Sequence, residues 1–439
     1  MTDAAHALPL DETSRTALAA EGLDYALVDT DDAAAHERWL QAYHRGFHSE
    51  ALNPEQVAEY RTSLAGPRLV WVRDATIAEP QHPVATVGAW RSTVSLGHAA
   101  EAEAWAISLV TVATTHRRRG IARALIEGEL RSAHAAGLPL AALTVSEATI
   151  YGRWGFGPAA HAADYRVDTR ALRFTAPLPP GRVHYVSVPS LRHLAPSLWE
   201  RASARGAGEV PPRGIHWDRM LALSARTTTH APKLRAARFD DAHGEPQGFV
   251  LYSIAENPDD FAASTLTVEY LCAATDDALI ALWHFVLDHD LIATVVASLR
   301  PVDDPLPWLV SNPRAVRTTA RSEHLWLRVL DVPAALEARR YAAADSVVLR
   351  VTDPLGFAEG TWMLTTTPDG TATVTADGAA ASAAVVELGA AELGALLLGG
   401  SPASALRLAG RITESVPGSA ARLDAMLLQP RAPHLSTWF

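Results

Sequence analysis

The distribution of apolar positions along the first part of the chain predicts both strands and helices. Residues 68–75, 83–96, 102–113 and 138–145 are rich in β-branched and aromatic side chains, a composition typical of strands. Between the last two, apolar residues recur at helical spacing and predict a helix from about Arg118 to Ala135. An α+β architecture follows.

The same sequence pattern divides the chain into a short leader and three segments. Residues 1–22 look like a poorly structured leader, and residues 23–165 form a first domain that ends before the linker-like stretch "LRFTAPLPPGR". Residues 166–321 repeat its opening, because Tyr25, Val28 and Trp39 recur at the same spacing as Tyr185, Val188 and Trp199. Residues 322–439 predict a small α+β layer domain. We therefore expect an internal duplication followed by a third domain.

Composition limits the classes of partner. The chain has 439 residues, too many for one core, and its 48% hydrophobic and 20% charged content is that of a soluble globular protein. A net charge of −11 argues against a nucleic-acid binder and suits cationic partners. We find neither a membrane-spanning run nor a signal-peptide pattern and expect a cytoplasmic protein. The one cysteine, Cys272, is read as a buried, inert thiol.

One block, "SLVTVATTHRRRGIARALIEGEL", carries candidate chemistry. A strand ends at Val112, and three arginines and Gly120 then lead directly into a helix. The first N–H groups of a helix have no partner within it and favour an anion, and arginines add charge-assisted hydrogen bonds suited to phosphate. Gly120 lets the backbone approach a ligand, and Ala122 keeps the first turn thin. The block reads as a pyrophosphate cradle, although a tri-arginine run alone also fits a solvated basic turn.

At these residues the chain resembles a known family. Arg117-x-x-Gly120-x-Ala122 is similar to the acyl-CoA signature of the GCN5-related N-acetyltransferases (GNAT). The wider block, followed by "LTVSEATIYGRWGFGPA", resembles the enhanced intracellular survival (Eis) acetyltransferases. "DPLPWLV" and "LWLRVLDVPAALEARRY" extend the resemblance over nearly the whole chain. It implies two tandem GNAT-like domains, the second degenerate, and a C-terminal sterol-carrier-protein-like α+β domain.

The resemblance also implies roles for particular residues in binding acetyl-CoA as co-substrate, with no metal. A strand edge would pair with the pantetheine arm, the arginine turn would hold the pyrophosphate, and two polar residues would line the arm further on. These three groups are Val110, Thr111 and Val112; Arg118, Arg119, Gly120, Ile121, Ala122 and Arg123; and Ser146 and Glu147. Tyr151 would be the general acid that protonates the leaving thiolate. Without the motif, Tyr151 would equally fit a packed aromatic beside Trp154 and Phe156.

The block lacks an evident base, and the resemblance implies that the chain end "HLSTWF" would supply it. In the family that it resembles, the C-terminal carboxylate reaches the active site. Here that carboxylate belongs to Phe439, with Trp438 and Phe439 expected to bury the tail. An α-carboxyl has a reference pKa of about 3.3–3.7, so it would act through a water or through burial that makes it more basic. A tail that only docks is the alternative.

The second copy differs at the position of the arginine turn. Its corresponding junction reads "TVEYLCAATDDALIALWHF", with Asp276 and Asp277 at the helix start. Carboxylates there cap a helix well and would repel a pyrophosphate. We therefore expect that the second copy does not bind CoA.

The resemblance implies an acetyl-CoA-dependent N-acetyltransferase that acts on primary amines of polycationic substrates such as aminoglycosides or lysine side chains. It also implies a homo-oligomer, a hexamer. Phe47, Tyr60 and Trp90 border the expected cleft or belong to the core. Two alternatives stay open: a catalytically weak lipid-binding or interaction protein on the same fold, and an acyltransferase that prefers longer acyl groups.

Overall fold

The first copy contains the strands, and the helix after the arginine turn, that the apolar pattern predicts. The computed structural model describes residues 8–64, 66–227, 229–376 and 384–439. In chain order, the elements of the first copy are α1 (Glu12–Ala20), β1 (Leu23–Leu27), α2 (Ala33–Gly46), α3 (Pro54–Ser63), β2 (Arg68–Asp74), β3 (Ala85–Gly97), β4 (Ala100–Val112), α4 (Ile121–Ala135), β5 (Leu140–Thr144), α5 (Ala148–Tyr151) and β6 (Gly157–Asp168).

The prediction of a poorly structured leader over residues 1–22 is wrong for α1, while residues 1–7 lie outside the described part of the chain. Asp11 caps α1 by accepting a hydrogen bond from the backbone N–H of Ser14, and Leu18 is buried in the core. The Ser14 hydroxyl donates to the carbonyl of Ala124 in α4 at 2.7 Å. The apolar pattern did not predict this helix, because its residues are mostly polar or alanine and only one face of it contacts the core.

After the linker, the second copy repeats the succession from β1 to β6, with no α-helix at the position of α5 in the described structure. Its elements are β7 (Gly181–Val186), α6 (Ala195–Ser203), α7 (Gly214–Met220), β8 (Leu234–Asp241), β9 (Pro246–Ala255), β10 (Ser264–Ala273), α8 (Asp276–Leu287), β11 (Ile292–Arg300) and β12 (Val316–Val329). β1 and β7 open the two copies, and the residue pairs Tyr25/Tyr185 and Trp39/Trp199 lie on equivalent elements.

The twelve strands of the two copies form one sheet in which the last strands are exchanged. Its order is β1-β2-β3-β4-β5-β12-β6-β11-β10-β9-β8-β7. β5 of the first copy pairs with β12 of the second, and β11 of the second pairs with β6 of the first. If each strand is replaced by its counterpart in the other copy, the same order results when the sheet is read from its opposite edge. This symmetry supports the internal duplication.

This exchange corrects the boundaries drawn from the sequence. The boundary at residue 165 falls within β6, and the boundary at residue 322 falls within β12. The strand "LWLRVL", expected to open the third domain, is the end of β12 and pairs with β5. Sequence order alone did not reveal this, because a strand pattern does not say which sheet the strand joins.

The third segment has a separate five-stranded sheet in the order β15-β14-β13-β16-β17. Its elements are α9 (Val332–Glu337), β13 (Ser346–Thr352), β14 (Gly360–Thr366), β15 (Ala372–Ala376), β16 (Val385–Gly389), α10 (Ala390–Leu396), α11 (Ala403–Leu408), β17 (Thr413–Glu414) and α12 (Ser419–Leu427). α10 lies directly on the large sheet, where a Cβ added at Gly157 would lie 1.8 Å from the carbonyl oxygen of Ala391. This close approach fixes the third domain against β6.

A buried ion pair positions α4 against the sheet. The guanidinium of Arg68 lies 3.2 Å from the carboxylate of Glu129, and both side chains are fully buried. The indole N–H of Trp105 donates to the other oxygen of that carboxylate at 2.9 Å. Buried charges are tolerated when they are paired and hydrogen-bonded in this way. The network therefore ties the helix that follows the arginine turn to β2 and β4.

Across the described ranges, no helix is long and apolar enough to cross a membrane. Within the same ranges, no group of three or more His, Cys, Asp or Glu side chains is arranged to hold a metal ion.

Candidate active site

The site begins where β4 and β5 separate. These parallel strands pair only from Ala104 to Ala106 of β4, opposite Leu140 to Ala142 of β5. β5 then ends at Thr144, while β4 continues to Val112 and stays paired with β3 on its other side. In the described structure, the edge of β4 from residue 107 onward has no strand partner. Its backbone N–H and C=O groups are available to an extended ligand, as at any open strand edge.

A bulge interrupts β4 at this edge. Leu109 and Val110 oppose the single residue Val87 of β3, and Leu109 has a left-handed backbone with φ of +58°. The Thr86 hydroxyl donates to the carbonyl of Leu109 at 2.9 Å and contacts the Thr111 hydroxyl at 2.7 Å. A left-handed non-glycine residue costs about 1–2 kcal/mol, and bulges re-aim backbone groups beside functional sites. Sequence analysis missed Leu109, because no residue-type signal marks a left-handed leucine.

The arginine turn lies at the far end of this edge. Gly120 is the N-cap of α4 with φ of +75°, no side chain caps the helix, and a Cβ added there would meet open space. Arg118 also has a positive φ, of +64°, and its side chain is exposed. The first backbone N–H groups of α4 are therefore open to an anionic ligand.

The side chains of the turn differ from the sequence prediction. Arg119 faces the protein: its guanidinium donates to the Asp74 carboxylate at 3.2 Å and to the carbonyl of Glu21 at 2.8 Å. His116 contacts the same carboxylate at 3.1 Å. Hydrogen bonds from Thr76, and then from His116 and Arg119, hold the pKa of the Asp74 carboxyl well below its usual range. Asp74 thus holds the turn against the protein through its contacts with His116 and Arg119.

The other predicted residues of the turn divide by exposure. Arg123 is exposed and lies 3.6 Å from Glu127, so its charge is partly balanced. The side chain of Ile121 is buried in the core, which leaves only its backbone N–H to face a ligand. Ala122 is partly buried. A phosphate at this turn would therefore contact the backbone N–H groups of α4 and the exposed side chain of Arg118.

Tyr151 ends the short helix α5, just beyond the gap between the strands. Its ring is 8% exposed and packs against Trp154 and Phe156, with centroid distances of 5.9 and 6.2 Å. Burial, and then the nearby charge of Glu147, raise the pKa of the Tyr151 hydroxyl. The phenol therefore keeps its proton at neutral pH and can donate it.

The C-terminal segment lies along the second copy before it enters the gap. The backbone N–H of Ala432 donates to Asp303 at 2.7 Å, and that of His434 donates to the carbonyl of Ala207 at 2.8 Å. Leu435 is completely buried in the core. The backbone N–H and the hydroxyl of Ser436 both donate to Glu209, at 3.2 and 3.0 Å. The tail is docked by backbone and side chain together.

The chain end reaches the first copy at the last residue of β5. The Thr144 hydroxyl donates to a terminal oxygen of Phe439 at 3.0 Å, across 295 positions of sequence. The Phe439 ring meets the Trp90 ring edge to face at 5.9 Å. His324 contacts the carbonyl of Thr437 at 2.9 Å, and burial lowers the pKa of this histidine to about 4. The neutral imidazole is the donor there.

The expectation that both terminal aromatics bury the tail is wrong for Trp438. This side chain is 52% exposed and contacts the His324 ring edge to face at 4.3 Å. Leu435 and Thr437 are the buried anchors. The alternation of buried and exposed residues follows from an extended tail with one face on the protein.

These elements enclose a cavity of about 230 Å³. Four predicted site residues line it, namely Val110, Ser146, Tyr151 and Phe439. Phe47, Tyr60 and Trp90, which we expected either at the cleft or in the core, also line it. The remaining predicted residues do not line it: the Thr111 side chain is buried against Thr86, Val112 and Glu147 are absent from the lining, and the arginine turn follows the end of β4.

One wall of the cavity was missed by sequence analysis. It comes from the second copy, through Ile215, His216 and Arg219 of α7 and the preceding Arg213. Tyr43 of α2 and Trp438 also line the cavity. No local motif marks these residues, because their function depends on how the two copies pack.

At the position of the arginine turn, the second copy has a capped helix start whose first residue, Asp276, forms ion pairs. Thr275, rather than an aspartate, caps α8 by accepting a hydrogen bond from the backbone N–H of Ala278 at 3.1 Å. Asp276 accepts from Arg205 at 2.5 Å and also from Arg431 in the C-terminal segment. The predicted aspartate cap is therefore wrong, and the carboxylate instead holds the segment that leads into the first copy.

Comparison with protein families gives three matches along the chain. Residues 30–159 and residues 213–329 each match an acetyltransferase (GNAT) domain. Residues 332–436 match a sterol carrier protein domain.

Individual relatives match over most of their length. The N-acetyltransferase Eis of Mycobacterium tuberculosis is 35% identical over 388 residues, which cover 86% of this chain and 90% of the relative. An uncharacterized N-acetyltransferase of Streptomyces avermitilis is 33% identical over 397 residues, covering 89% and 93%. The crystal structure of Eis1 from Mycobacterium abscessus superposes with a TM-score of 0.80 at 26% identity, covering 95% of this chain and all of the other.

Leu435→Ala should release the tail. Replacing a fully buried leucine by alanine costs about 2 kcal/mol or more, which raises the undocked fraction more than about tenfold. We expect carboxypeptidase to remove Phe439 at least about tenfold faster, as followed by mass spectrometry. Leu428→Ala, at a side chain that is 63% exposed, is the matched control. Equal rates for the two variants would show that Leu435 does not hold the tail.

Proposed function

The chain belongs to the Eis family of N-acetyltransferases, and we propose that it transfers the acetyl group of acetyl-CoA to a primary amine in the cavity between its two GNAT copies. The amine would attack the thioester directly, with the carboxylate of Phe439 as base and Tyr151 as acid. Aminoglycosides and lysine side chains are the acceptors that the family resemblance implies. A hexamer and a cytoplasmic location stay predictions.

The residues present fit acetyl-CoA, which would supply the acetyl group as an activated thioester. The open edge of β4 offers N–H and C=O groups to the amides of a pantetheine arm. The turn at Gly120, with open space at its Cβ, offers the backbone donors of α4 to a pyrophosphate. The bulge at Leu109 sets the direction of the N–H groups near the cavity, where one would polarise the acyl carbonyl.

The carboxylate of Phe439 would take the proton of the attacking amine. Its hydrogen bond from Thr144 and the ring contact with Trp90 fix its position. A carboxylate is a weak base toward an ammonium, so proton transfer would go through a water or follow a shift of the amine's own pKa.

Tyr151 would give its proton to the departing sulfur. A phenol donates readily to a thiolate only when the site favours the transfer, and the raised pKa keeps the proton available until the thiolate forms. The single observation that carries the proposal is that the chain end, Tyr151 and the open β4 edge border one cavity.

The direct test is release of free CoA thiol from acetyl-CoA in the presence of a broad panel of amines. We expect thiol release that depends on the amine and on both substrates. The panel includes an aminoglycoside, a lysine peptide, a polyamine and amino acids. Release at the background rate with every amine would contradict the proposed activity and would favour the lipid-binding or interaction alternative.

Tyr151→Phe should lower kcat by about 100-fold or more, because general acid catalysis typically contributes about 10²–10⁴-fold. The affinity for acetyl-CoA, measured by titration calorimetry, should stay unchanged, because the ring and its packing remain. Tyr185→Phe, at a side chain that is 73% exposed in the second copy, controls for loss of a hydroxyl elsewhere. A kcat equal to that of the control would remove Tyr151 from the acid role.

A further inference from the structure

The acceptor cavity is lined by positive charge. Arg213 and Arg219 face it from the second copy, and within the described lining there is no aspartate or glutamate. The one negative group is the carboxylate of Phe439, assigned above to the proton of the amine. The chain's net charge of −11 is therefore located elsewhere on the molecule, and it does not describe the surface that the acceptor meets.

Aromatic rings hold these two arginines in place. The guanidinium of Arg219 lies 4.8 Å from the centre of the Tyr60 ring, and that of Arg213 lies 5.3 Å from the centre of the Trp90 ring. The Nε–H of Arg219 is buried and has no hydrogen-bond partner. In the described structure no carboxylate forms an ion pair with Arg219. Arg219 is only partly buried and lines the cavity, so its positive charge lies next to a ligand bound there.

The histidines beside the arginines do not add further charge. Burial, and then Arg219 and Arg213, lower the pKa of His216 to about 3. Burial, and then Arg226 and Arg219, lower the pKa of His44 to about 4. Both imidazoles are neutral at physiological pH, so the arginines alone set the positive potential at this wall.

The positive potential of the two arginines disfavours binding of a polycationic acceptor. An acceptor with several ammonium groups would place like charges close to two guanidinium groups in a partly desolvated site, where repulsion is strong. The cavity volume of about 230 Å³ is also below the range of about 300–1,000 Å³ that is usual for pockets that hold drug-sized ligands. A small acceptor fits better than a multi-ring one.

We propose that the acceptor is a small primary amine that carries an aromatic ring and a carboxylate, with Arg219 and Arg213 binding the carboxylate and the rings of the cavity wall packing on the aromatic ring. This inference rests on the proposed acetyl transfer and names its substrate class. Arginine is suited to the task, because its planar fork pairs with a carboxylate through two parallel hydrogen bonds. Tyr43, Phe47 and Trp90 supply the apolar surface.

The same charges assist the reaction. A nearby positive potential lowers the pKa of an ammonium group, so more of the acceptor is present as the neutral, nucleophilic amine. The amine nitrogen then bonds to the acetyl carbon and the carbon–sulfur bond breaks. The proton leaves the nitrogen toward the Phe439 carboxylate, and the sulfur receives a proton from Tyr151. The weak basicity of the carboxylate is thereby less of an obstacle.

The test compares acceptors that differ in one group. Phenylalanine and phenethylamine share the ring and the amine and differ in the carboxylate, while spermidine and an aminoglycoside represent polycations. We expect kcat/KM, measured as thiol release from acetyl-CoA, to be at least about tenfold higher for phenylalanine than for each of the others, a ratio typical of one charge-assisted contact.

Arg219→Gln should raise KM for phenylalanine at least about tenfold and remove the preference over phenethylamine, whereas Arg219→Glu should shift the preference toward spermidine. Arg317→Gln, an exposed arginine of β12 away from the cavity, is the matched control and should keep the wild-type preference. Circular dichroism and acetyl-CoA affinity show that each variant is folded.

Different results would contradict the proposed acceptor class and the proposed acetyl transfer. If the wild-type enzyme acetylates spermidine or the aminoglycoside as well as phenylalanine or better, the acceptor class is wrong and the acetyltransferase activity stands. If phenethylamine equals phenylalanine, the arginines do not select a carboxylate. If no amine releases thiol, the proposed activity itself fails. Should an Arg219 variant not fold, the wild-type comparison alone decides.

Discussion

The separation of β4 from β5 is the constraint on which the site depends. The two strands pair over three residues and then diverge, which leaves one strand edge open and a gap in the sheet. The open edge would offer its backbone groups to the proposed co-substrate, and the gap admits the end of the chain. Thr144, the last residue of β5, contacts the terminal oxygen of Phe439 because β5 stops there. Tyr151 follows on the next short helix. A continuous sheet would have no place for any of these groups.

The two copies contribute different parts to this one site. The first supplies the open edge, the turn at Gly120 and Tyr151, while the second supplies the arginine wall of the cavity. At the second copy's own helix start, Thr275 caps α8, and Asp276 pairs with Arg205 and Arg431. That pairing guides the C-terminal segment from the second copy into the first. Duplication, strand exchange and the docked tail therefore bring residues of both copies and the chain end to one cavity.

Sequence patterns predicted the elements well where the signal is local. The helix after Gly120, the strands around it and the position of Tyr151 follow from periodicity and from one motif. Features that depend on contacts between distant parts of the chain could not be predicted from these local patterns. The strand "LWLRVL" joins the large sheet because its partner β5 lies far away in sequence, and α1 is helical because it contacts α4. The tail is anchored by Leu435 rather than Trp438, and Arg219 belongs to the cavity only through the contact between the copies. Net charge alone gave a misleading picture of that wall.

The position of the chain's last carboxylate tests the account most directly. Adding one glycine after Phe439 moves that carboxylate by about one residue, roughly 3.8 Å, and changes no other side chain. We predict that kcat falls by at least about 100-fold, while the affinity for acetyl-CoA and the thermal unfolding midpoint keep their wild-type values. A semisynthetic chain that ends in an amide, with the same length but no charge, should lose activity equally. Wild-type kcat in both forms would contradict the assignment and would show that the tail only packs.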